Sequence, residues 1–303
     1  MRIRRSLCAP LAALAGVLIL SACANLPGSG SGPAAPPPSP QEARAAVGRG
    51  LAARYADAVV EIEVVTTIKI TVGNRTLPPQ EVRRQINGTV LNAAGLTLTS
   101  LSEIDPRGAV QARTNGVAQR VQVNDVEFKE AKLRLADGTE IPARVVLKDP
   151  DQDLAFIAPL PDAAAGKRTF VHADLDHPAA AEVLGDYYLV ARAAKVLQRA
   201  PVVREITIEG IAEKPRRLFL VNQVLLGCPL FDPQGRLLGV ALAHIANGRP
   251  NGAIVMPAAE LAQGAALAAA AAAKPAEGAG EADDSAAPSP PPPAGGAGEQ
   301  APP

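Results

Sequence analysis

The stretch CPLFDPQGRLLGVALA, residues 228–243, carries the clearest fold signal in this chain of 303 residues. The turn signal Asp232-Pro233-Gln234-Gly235 stands just before the apolar run LLGVALA at 237–243. A short apolar run that is bounded by Asp, Pro and Gly is typical of a buried β-strand next to a tight turn. The stretch therefore predicts a strand that follows a tight turn.

The same pattern of short apolar runs and turn signals continues through the body of the chain. Long helical patterns are missing from it, except at Pro40–Ala53 and in the alanine-rich segment Leu261–Lys274. Strand-rich sequence without alternating helices favours barrels or a sandwich over βαβ units. We therefore predict an all-β body of two subdomains. Its candidate strands are 59–65, 68–72, 89–92, 96–99, 132–135, 141–147, 187–191, 205–211, 218–221 and 237–243.

Segments of biased composition flank this body. Residues 23–42 are rich in Pro, Gly, Ser and Ala, and residues 266–303 join the end of the alanine-rich helix to a Pro, Gly and Ala tail. Such compositions bury too little apolar surface to fold. We predict a tether over 23–42, a folded domain over 43–265 and a disordered tail, so that disordered arms flank the domain.

The N-terminus has the pattern of a secretion signal. Arg2, Arg4 and Arg5 precede the apolar stretch Leu11–Leu20. This stretch is too short to span a bilayer as a stop-transfer helix. We predict a signal peptide over residues 1–22.

The end of this signal resembles the lipobox of bacterial lipoproteins, in the four residues Leu20-Ser21-Ala22-Cys23. The resemblance implies cleavage before Cys23 and its acylation, and several acyl chains on one residue hold a protein firmly to a bilayer. Ala24 after the cysteine resembles an outer-membrane address. We predict a cell-envelope protein that is lipid-anchored through Cys23, on the outer membrane and facing the periplasm.

Charge and cysteine content argue against a nucleic-acid-binding protein and against a disulfide-bonded one. The chain has 30 basic and 30 acidic residues, and loss of the three signal arginines leaves 27 against 30, a net charge of −3. No basic excess suggests nucleic acid as a partner. Cys8 leaves with the signal and Cys23 is acylated, so Cys228 has no partner for an intramolecular disulfide.

Several stretches of the body, in order along the chain, resemble the protease domain of the HtrA/Deg branch of trypsin-like serine proteases. Gly88–Thr99 is similar to the strand, turn and strand that lead to that family's histidine. Leu133–Thr139 and Asp149–Ala155 are similar to the hairpin and the DPxxDLA segment that carry its aspartate.

The second half of the body continues the resemblance. Leu184–Ala191 is similar to the family's LGDxVxAIG strand, Cys228–Val240 to the stretch after its serine, and Asn251–Pro257 to its closing strand. The resemblance implies a trypsin-like double β-barrel with a C-terminal helix and no PDZ domain after it.

The resemblance also implies that the catalytic centre of that family is lost. Its histidine, aspartate and serine positions fall on Ser102, Asp153 and Leu226. A serine hydroxyl is not a base near neutral pH, and a carboxylate does no acid–base work without an imidazole to orient. Two counts do not depend on the alignment: no serine occurs between Ser102 and Ser285, and all histidines follow the aspartate segment, at His172, His177 and His244. We predict that the chain is a pseudoprotease and not an enzyme.

Apolar side chains stand where the family has its polar catalytic centre. Val224 replaces a glycine of the oxyanion hole, and its branched side chain disfavours the backbone that glycine adopts there. The family's groove binds extended peptides by strand addition, so the resemblance implies a peptide or protein partner here. The candidate groove residues are Leu101, Val224, Leu225, Leu226, Gly227 and Cys228.

Two clusters permit other chemistry. Cys228 is a candidate cysteine nucleophile, but a small buried thiol is the simpler interpretation. The segment His172–His177 places imidazoles and carboxylates within six residues, which permits metal ligation, but a solvated loop is the simpler interpretation. We predict no metal and no cofactor.

These observations favour a catalytically inactive envelope lipoprotein that binds a peptide or protein partner through the remnant groove. One alternative is a serine-type endopeptidase with unusual catalytic residues. Another is a purely structural lipoprotein, in which the body is a spacer between the membrane and another envelope layer.

Overall fold

A computed structural model of the chain describes residues 37–108, 110, 121–161, 168–246 and 249–274. The predicted signal peptide, the anchor Cys23, the tether up to Pro36 and the tail from Pro275 lie outside these residues. In the part of the chain that is described, no helix has the length and apolar character needed to cross a membrane.

The first half of the body forms a closed barrel of antiparallel strands. Strands β1, β3, β4, β7, β6 and β5 follow one another around it, and β5 pairs back onto β1, while the short β2 pairs with the end of β1. The strands are β1 Val59–Val72, β2 Arg75–Thr76, β3 Gln80–Val90, β4 Thr97–Ser100, β5 Val121–Arg134, β6 Glu140–Asp149 and β7 Leu154–Pro159.

Strand β1 shows how alternation builds this barrel. Val60, Ile62 and Val64 alternate with Glu61 and Glu63, and successive side chains of a strand point to opposite faces. The three apolar side chains are buried in the barrel core. Burial of each such side chain contributes about 1.5–3 kcal/mol. The two glutamates therefore point away from that core.

The second half forms another closed barrel, in which the strands follow the order β10, β13, β12, β11, β8, β9. Its β11–β12 hairpin is the stretch 228–243, and Asp232 Oδ1 stabilises the turn by accepting hydrogen bonds from the backbone N–H groups of Gln234 and Arg236. The strands are β8 Asp186–Arg192, β9 Pro201–Ala212, β10 Leu218–Val221, β11 Pro229–Phe231, β12 Leu237–Ala246 and β13 Arg249–Pro257.

Buried ion pairs lie where β1 faces the second barrel. Arg199 Nη2, from the β8–β9 connection, lies 3.1 Å from Glu61 Oε1. Arg134 Nη2, on β5, lies 3.0 Å from Glu63 Oε2. Loss of one partner of a buried pair costs about 3–5 kcal/mol because the other charge stays uncompensated. The acidic face of β1 is thus matched by arginines from both barrels.

Helices pack beside the barrels, among them α1 Pro40–Tyr55, α2 Leu101–Ile104 and α3 Ala258–Ala272. Helix α1 packs on β8 and β9, and its Tyr55 ring stacks on Phe231 at a centroid distance of 4.2 Å. The Tyr55 hydroxyl donates a hydrogen bond of 2.7 Å to Gly235 O in the β11–β12 turn.

Helix α3 closes a core that both barrels share. Leu261 and Ala265 of the helix are buried together with Phe156 of β7 and with Leu242 of β12. Because this core takes side chains from both barrels, neither barrel completes its burial alone. The helix follows the last strand directly, since β13 ends at Pro257 and α3 begins at Ala258.

The all-β double barrel with a C-terminal helix is confirmed. Two predicted strands, 59–65 and 68–72, form the single strand β1, and the predicted N-terminal helix extends to Tyr55. The predicted domain borders at 42/43 and 265/266 fall inside α1 and α3, which both pack on the barrels.

Gly227 lies at a seam between the barrels. Its N–H donates to Ala241 O at 2.7 Å, and its carbonyl accepts a hydrogen bond of 2.8 Å from Thr89 Oγ1 in the first barrel. Its φ is +74°, and a Cβ at this position would lie 2.2 Å from Asn87 O. The seam therefore has no room for a side chain.

We expect Gly227→Ala to lower the free energy of unfolding by about 3 kcal/mol, because backbone strain and a clash with a main-chain oxygen add. Gly252→Ala is the matched control, since its φ is +86° and nothing lies within 4 Å of its Cβ position. The control should lose only about 1 kcal/mol. Urea denaturation measures both, and equal losses would contradict the close approach at the seam.

Candidate functional site

Asp153 lies at the centre of the cleft between the barrels. The preceding turn is held by Asp149, whose Oδ1 accepts hydrogen bonds from the N–H groups of Asp151 and Gln152 at 3.0 and 3.1 Å. This turn brings Asp153 into the left-handed region, with a φ of 59°, which aspartate tolerates better than most residues. Its side chain points inward and is 1 % exposed.

The Asp153 carboxylate accepts hydrogen bonds from both barrels. Oδ1 accepts from the Ser102 N–H at 2.7 Å. Oδ2 accepts from the Ala243 N–H of β12 at 2.9 Å and from the Ser100 hydroxyl. The arrangement satisfies a buried charge with fixed donors, as a buried carboxylate requires.

Burial has the largest effect on the pKa of the Asp153 carboxyl. Loss of hydration raises the pKa of this carboxyl, and the hydrogen bonds from Ser100, Ser102 and Ala243 oppose the rise without cancelling it. The pKa of Glu103 in α2 is also raised, because burial and the nearby charge of Asp153 outweigh the opposing charge of Arg84. Two carboxyl groups thus share this part of the cleft.

Ser102, which the resemblance aligns with a histidine, brings a hydroxyl to this carboxylate. Its Oγ lies 3.1 Å from Ser100 Oγ, so two hydroxyls stand beside Asp153. Ser100 was missed by the sequence reasoning, which considered only the position of the histidine. The only available signal was the two-residue spacing on either side of Leu101, which a reverse turn after β4 brings together.

A half-open cavity of about 280 Å³ adjoins Ser102 and Asp153. Both barrels contribute to its wall. The described residues that line it are Leu101, Ser102, Asp105, Arg107, Gly108, Val123, Pro150, Asp153, Ile245 and Pro250. Sequence reasoning named only three of these residues, because the others come from connections and strand ends far apart in the chain.

Leu226 is partly exposed and is not among the described residues that line this cavity. Leu226 precedes Gly227, and the Gly227 N–H binds Ala241 O on β12. Two residues further along β12, the Ala243 N–H binds Asp153. The structure thus brings the Asp153 and Ser102 positions into direct contact, and places Leu226 at the same seam between the barrels.

The other candidate groove residues are less accessible. Val224 and Leu225 are partly buried and pack against the core of the second barrel. Leu101 is 6 % exposed and packs in the core of the first barrel, although its edge reaches the cavity. Gly227 is buried in the seam. The open part of the cleft therefore centres on Ser102 more than on 224–226.

Cys228 is sealed inside the second barrel. Its side chain is 0 % exposed, and burial raises its pKa far above the ordinary value of a thiol. The thiolate is the reactive form of cysteine, so a thiol in this setting is a poor nucleophile. Its Sγ lies 3.7 Å from Leu226 O, as a weak donor within its own loop.

The histidines lie apart from Asp153 in the hydrogen-bond network. His177 Nδ1 contacts Asp174 Oδ2 at 2.9 Å on the surface, and His172 Nδ1 lies 3.1 Å from Phe170 O. His244 is partly exposed on β12, directly after Ala243. Among the described residues, no group of three or more His, Cys, Asp and Glu side chains is placed to hold a metal ion.

The raised pKa of Asp153 predicts a pH dependence of stability. The folded state binds this proton more tightly than the unfolded chain, whose aspartate titrates near about pH 3.9. The stabilisation that protonation gives is complete below that pH and is lost as pH rises through the folded pKa. We expect wild-type stability to fall relative to Asp153→Asn between about pH 3 and neutrality.

Urea denaturation of both proteins across this range measures the difference, and the subtraction removes the titration of all other groups. A difference that stays constant, or that changes in the opposite direction, would show that the pKa of Asp153 is not raised in the folded state.

No family model matches the chain, and no curated protein matches it. Among solved structures, the chain is similar to the MamO protease domain from Magnetospirillum magneticum in its apo form, with 17% identity over 70% of this chain and 97% of that one and a TM-score of 0.43. It is also similar to Deg5, with 19% identity over 73% of this chain and 92% of that one and a TM-score of 0.47.

These values describe likeness of fold alone, and the strand order of the chain itself carries the assignment. Two closed antiparallel barrels meet at a cleft that holds a buried aspartate, and a C-terminal helix closes their shared core. The body of the chain is a double β-barrel closed by a C-terminal helix, the fold that the resemblance to trypsin-like proteases implied.

Proposed function

We propose that this protein is a non-catalytic, trypsin-fold protein of the bacterial envelope that binds a peptide or protein partner at the cleft between its barrels. One observation carries the proposal: Asp153 keeps its hydrogen bonds to both barrels but faces hydroxyls, beside an open cavity. Among the described residues, the hydrogen bonds of Asp153 come from hydroxyl and main-chain groups and not from an imidazole, which supports a cleft that does not perform acyl transfer.

The chemistry of the cleft supports the loss of hydrolysis. Acyl transfer needs a nucleophile and a base to remove its proton. Ser102 has the hydroxyl of Ser100 and the buried Asp153 as neighbours, and neither group is the imidazole that takes the proton of the nucleophile in a serine protease. Cys228, the alternative nucleophile, is sealed in a barrel core.

Exposed apolar side chains at the tip of the β8–β9 hairpin support binding. Val196 and Leu197, at the tip of the β8–β9 hairpin, are 86 % and 63 % exposed. The hairpin is tied to the seam through Arg192, whose carbonyl accepts a hydrogen bond from Asn87 Nδ2 at 3.3 Å. Asn87 in turn lies against Gly227. Exposed apolar groups on a surface favour a protein or peptide ligand.

An extended peptide has a strand edge to join. Pairing of β11 with β12 ends at Val240, so the later residues of β12 line the cleft with their main chain. The Ala243 N–H in this part binds Asp153, and Ile245 lines the cavity. Strand addition at this edge would place alternate side chains of a peptide towards the cavity.

The predicted anchor sets where binding takes place. Acylation of Cys23 would hold the protein at the outer membrane, facing the periplasm, and the tether over 23–42 would separate its body from the bilayer. A partner in the same compartment follows from this proposal.

A structural role is the second candidate, favoured by one feature. Val224 and Leu225 turn inward and pack against the second barrel, so part of the expected apolar groove serves the core. A spacer protein needs a stable body and no open site. The cavity beside Ser102 and the exposed tip of the β8–β9 hairpin favour binding over this role.

We expect no hydrolytic activity from the full chain. A serine-directed fluorophosphonate should label nothing, iodoacetamide should leave Cys228 unmodified in the folded protein because the thiol is buried, and casein should remain intact. Mass spectrometry of peptides and casein gels measure these outcomes. Casein cleavage that persists on repurification and is lost in Cys228→Ala or Ser102→Ala would instead identify an endopeptidase.

We expect a partner to cross-link from the cleft and from the hairpin tip. Detergent-solubilised protein that carries a photo-reactive side chain at Leu226 or Leu197 should capture the same partner from envelope extracts. Leu267 on α3, which is 58 % exposed, is the matched control position. The same partner captured equally from all three positions, or from none, would contradict binding at the cleft.

A further inference from the structure

The hydrogen bonds around Asp153 fix the polarity of the cavity floor. The Ser100 hydroxyl donates its hydrogen to Asp153 Oδ2. In the contact between the two hydroxyls, Ser100 Oγ is then the acceptor and Ser102 Oγ the donor. A hydroxyl has one hydrogen and two acceptor lone pairs. The lone pairs of Ser102 Oγ therefore remain for a group in the cavity, and this group must be a donor.

The charge around the cavity also favours a cation. None of the ion pairs among the described residues includes Asp153. Arg107, which lines the same cavity, is engaged by Asp105, with its Nη1 3.2 Å from Asp105 Oδ2. Glu103 adds a second carboxyl close enough to Asp153 for the two charges to interact, and the charge of Arg84 offsets that of Glu103 in part. Buried negative charge without a cationic partner attracts one.

The walls define the shape of the ligand group. Val123, Ile245 and Leu101 present aliphatic surface, and Pro150 and Pro250 present flat rings. A cavity of about 280 Å³ is at the lower end of the range for ligand sites. It suits one side chain with apolar faces and a polar edge rather than a whole cofactor.

We propose that this cavity binds a protonated imidazole ring, the side chain of a histidine that a partner peptide presents to Ser102 and Asp153. The ring faces lie against the aliphatic and proline walls, and one N–H donates to Ser102 Oγ. This inference rests on the proposed peptide-binding function and specifies the residue that the site recognises.

Other cationic side chains match the cavity less well. A lysine ammonium is strongly hydrated and carries three N–H donors, and a guanidinium carries five. The floor offers Ser102 Oγ and the remaining acceptor capacity of Asp153, so both groups would keep unsatisfied donors after losing their hydration. A carboxylate ligand would add negative charge beside Asp153 and Glu103 and is disfavoured for that reason.

Imidazole itself is the probe that tests this inference. Saturation-transfer NMR on the full acylated chain in detergent, at about pH 6 where imidazole is protonated, measures its affinity. Pyrazole is the control ligand, because it has the same ring size and stays neutral. We expect imidazole to bind about tenfold more tightly than pyrazole, the effect of one charge-assisted hydrogen bond in a partly buried site.

Variants place the binding at this cavity. Ser102→His fills the space with its own ring, and Val123→Trp fills it from the apolar wall without altering Asp153. Both should lose imidazole binding while circular dichroism shows a folded barrel. Leu267→Ala on the surface of α3 should bind as the wild type does. Two variants with different chemistry keep the test decisive if one of them fails to fold.

The outcomes separate this inference from the function on which it rests. Loss of imidazole binding in both cavity-filling variants supports it. Equal binding of imidazole and pyrazole, binding that survives cavity filling, or no binding would overturn it. If imidazole does not bind but a partner still cross-links from Leu226, only the histidine specificity fails. If cross-linking from the cleft fails as well, the peptide-binding function falls with it.

Discussion

A single buried carboxylate joins the two barrels of this protein. Asp153 comes from the first barrel, and one of its oxygens accepts the Ala243 N–H of the second. The carboxylate is almost wholly buried, and leaving these donors or this charge without partners would cost several kcal/mol. The turn before β7, the start of α2 and strand β12 are therefore held in one arrangement, and the cleft is the space that this arrangement leaves.

The interactions that hold this fold are separable from the chemistry of hydrolysis. The barrels are closed by main-chain pairing, the seam at Gly227 excludes side chains, and α3 seals a shared apolar core. None of these contacts needs an imidazole or a serine nucleophile. A chain can lose both groups and keep the cleft, with Ser100 and Ser102 supplying hydroxyls beside Asp153. The fold and the hydrolytic activity of such a protein thus depend on different residues.

Alternation and turn residues predicted most strands, because each short apolar run must bury one face. Strand β3 was predicted only at its end, since residues 80–88 are polar and their partners lie on β1, where Gln85 Nε2 donates to Glu63 at 2.8 Å. The candidate site was predicted in part. Ser102 and Asp153 were found from the resemblance, whereas the Ala243 N–H was not, because any residue can supply a main-chain donor.

The sequence by itself determined that the first barrel has no histidine and the second no serine, since a missing residue type needs no coordinates. It also determined the all-β class, because a period of two is a local property of the chain. Only the tertiary structure decided that Cys228 is sealed, that Val224 and Leu225 turn inward, and that a cavity opens beside Ser102. Burial depends on contacts between residues far apart in the chain, which local patterns do not encode.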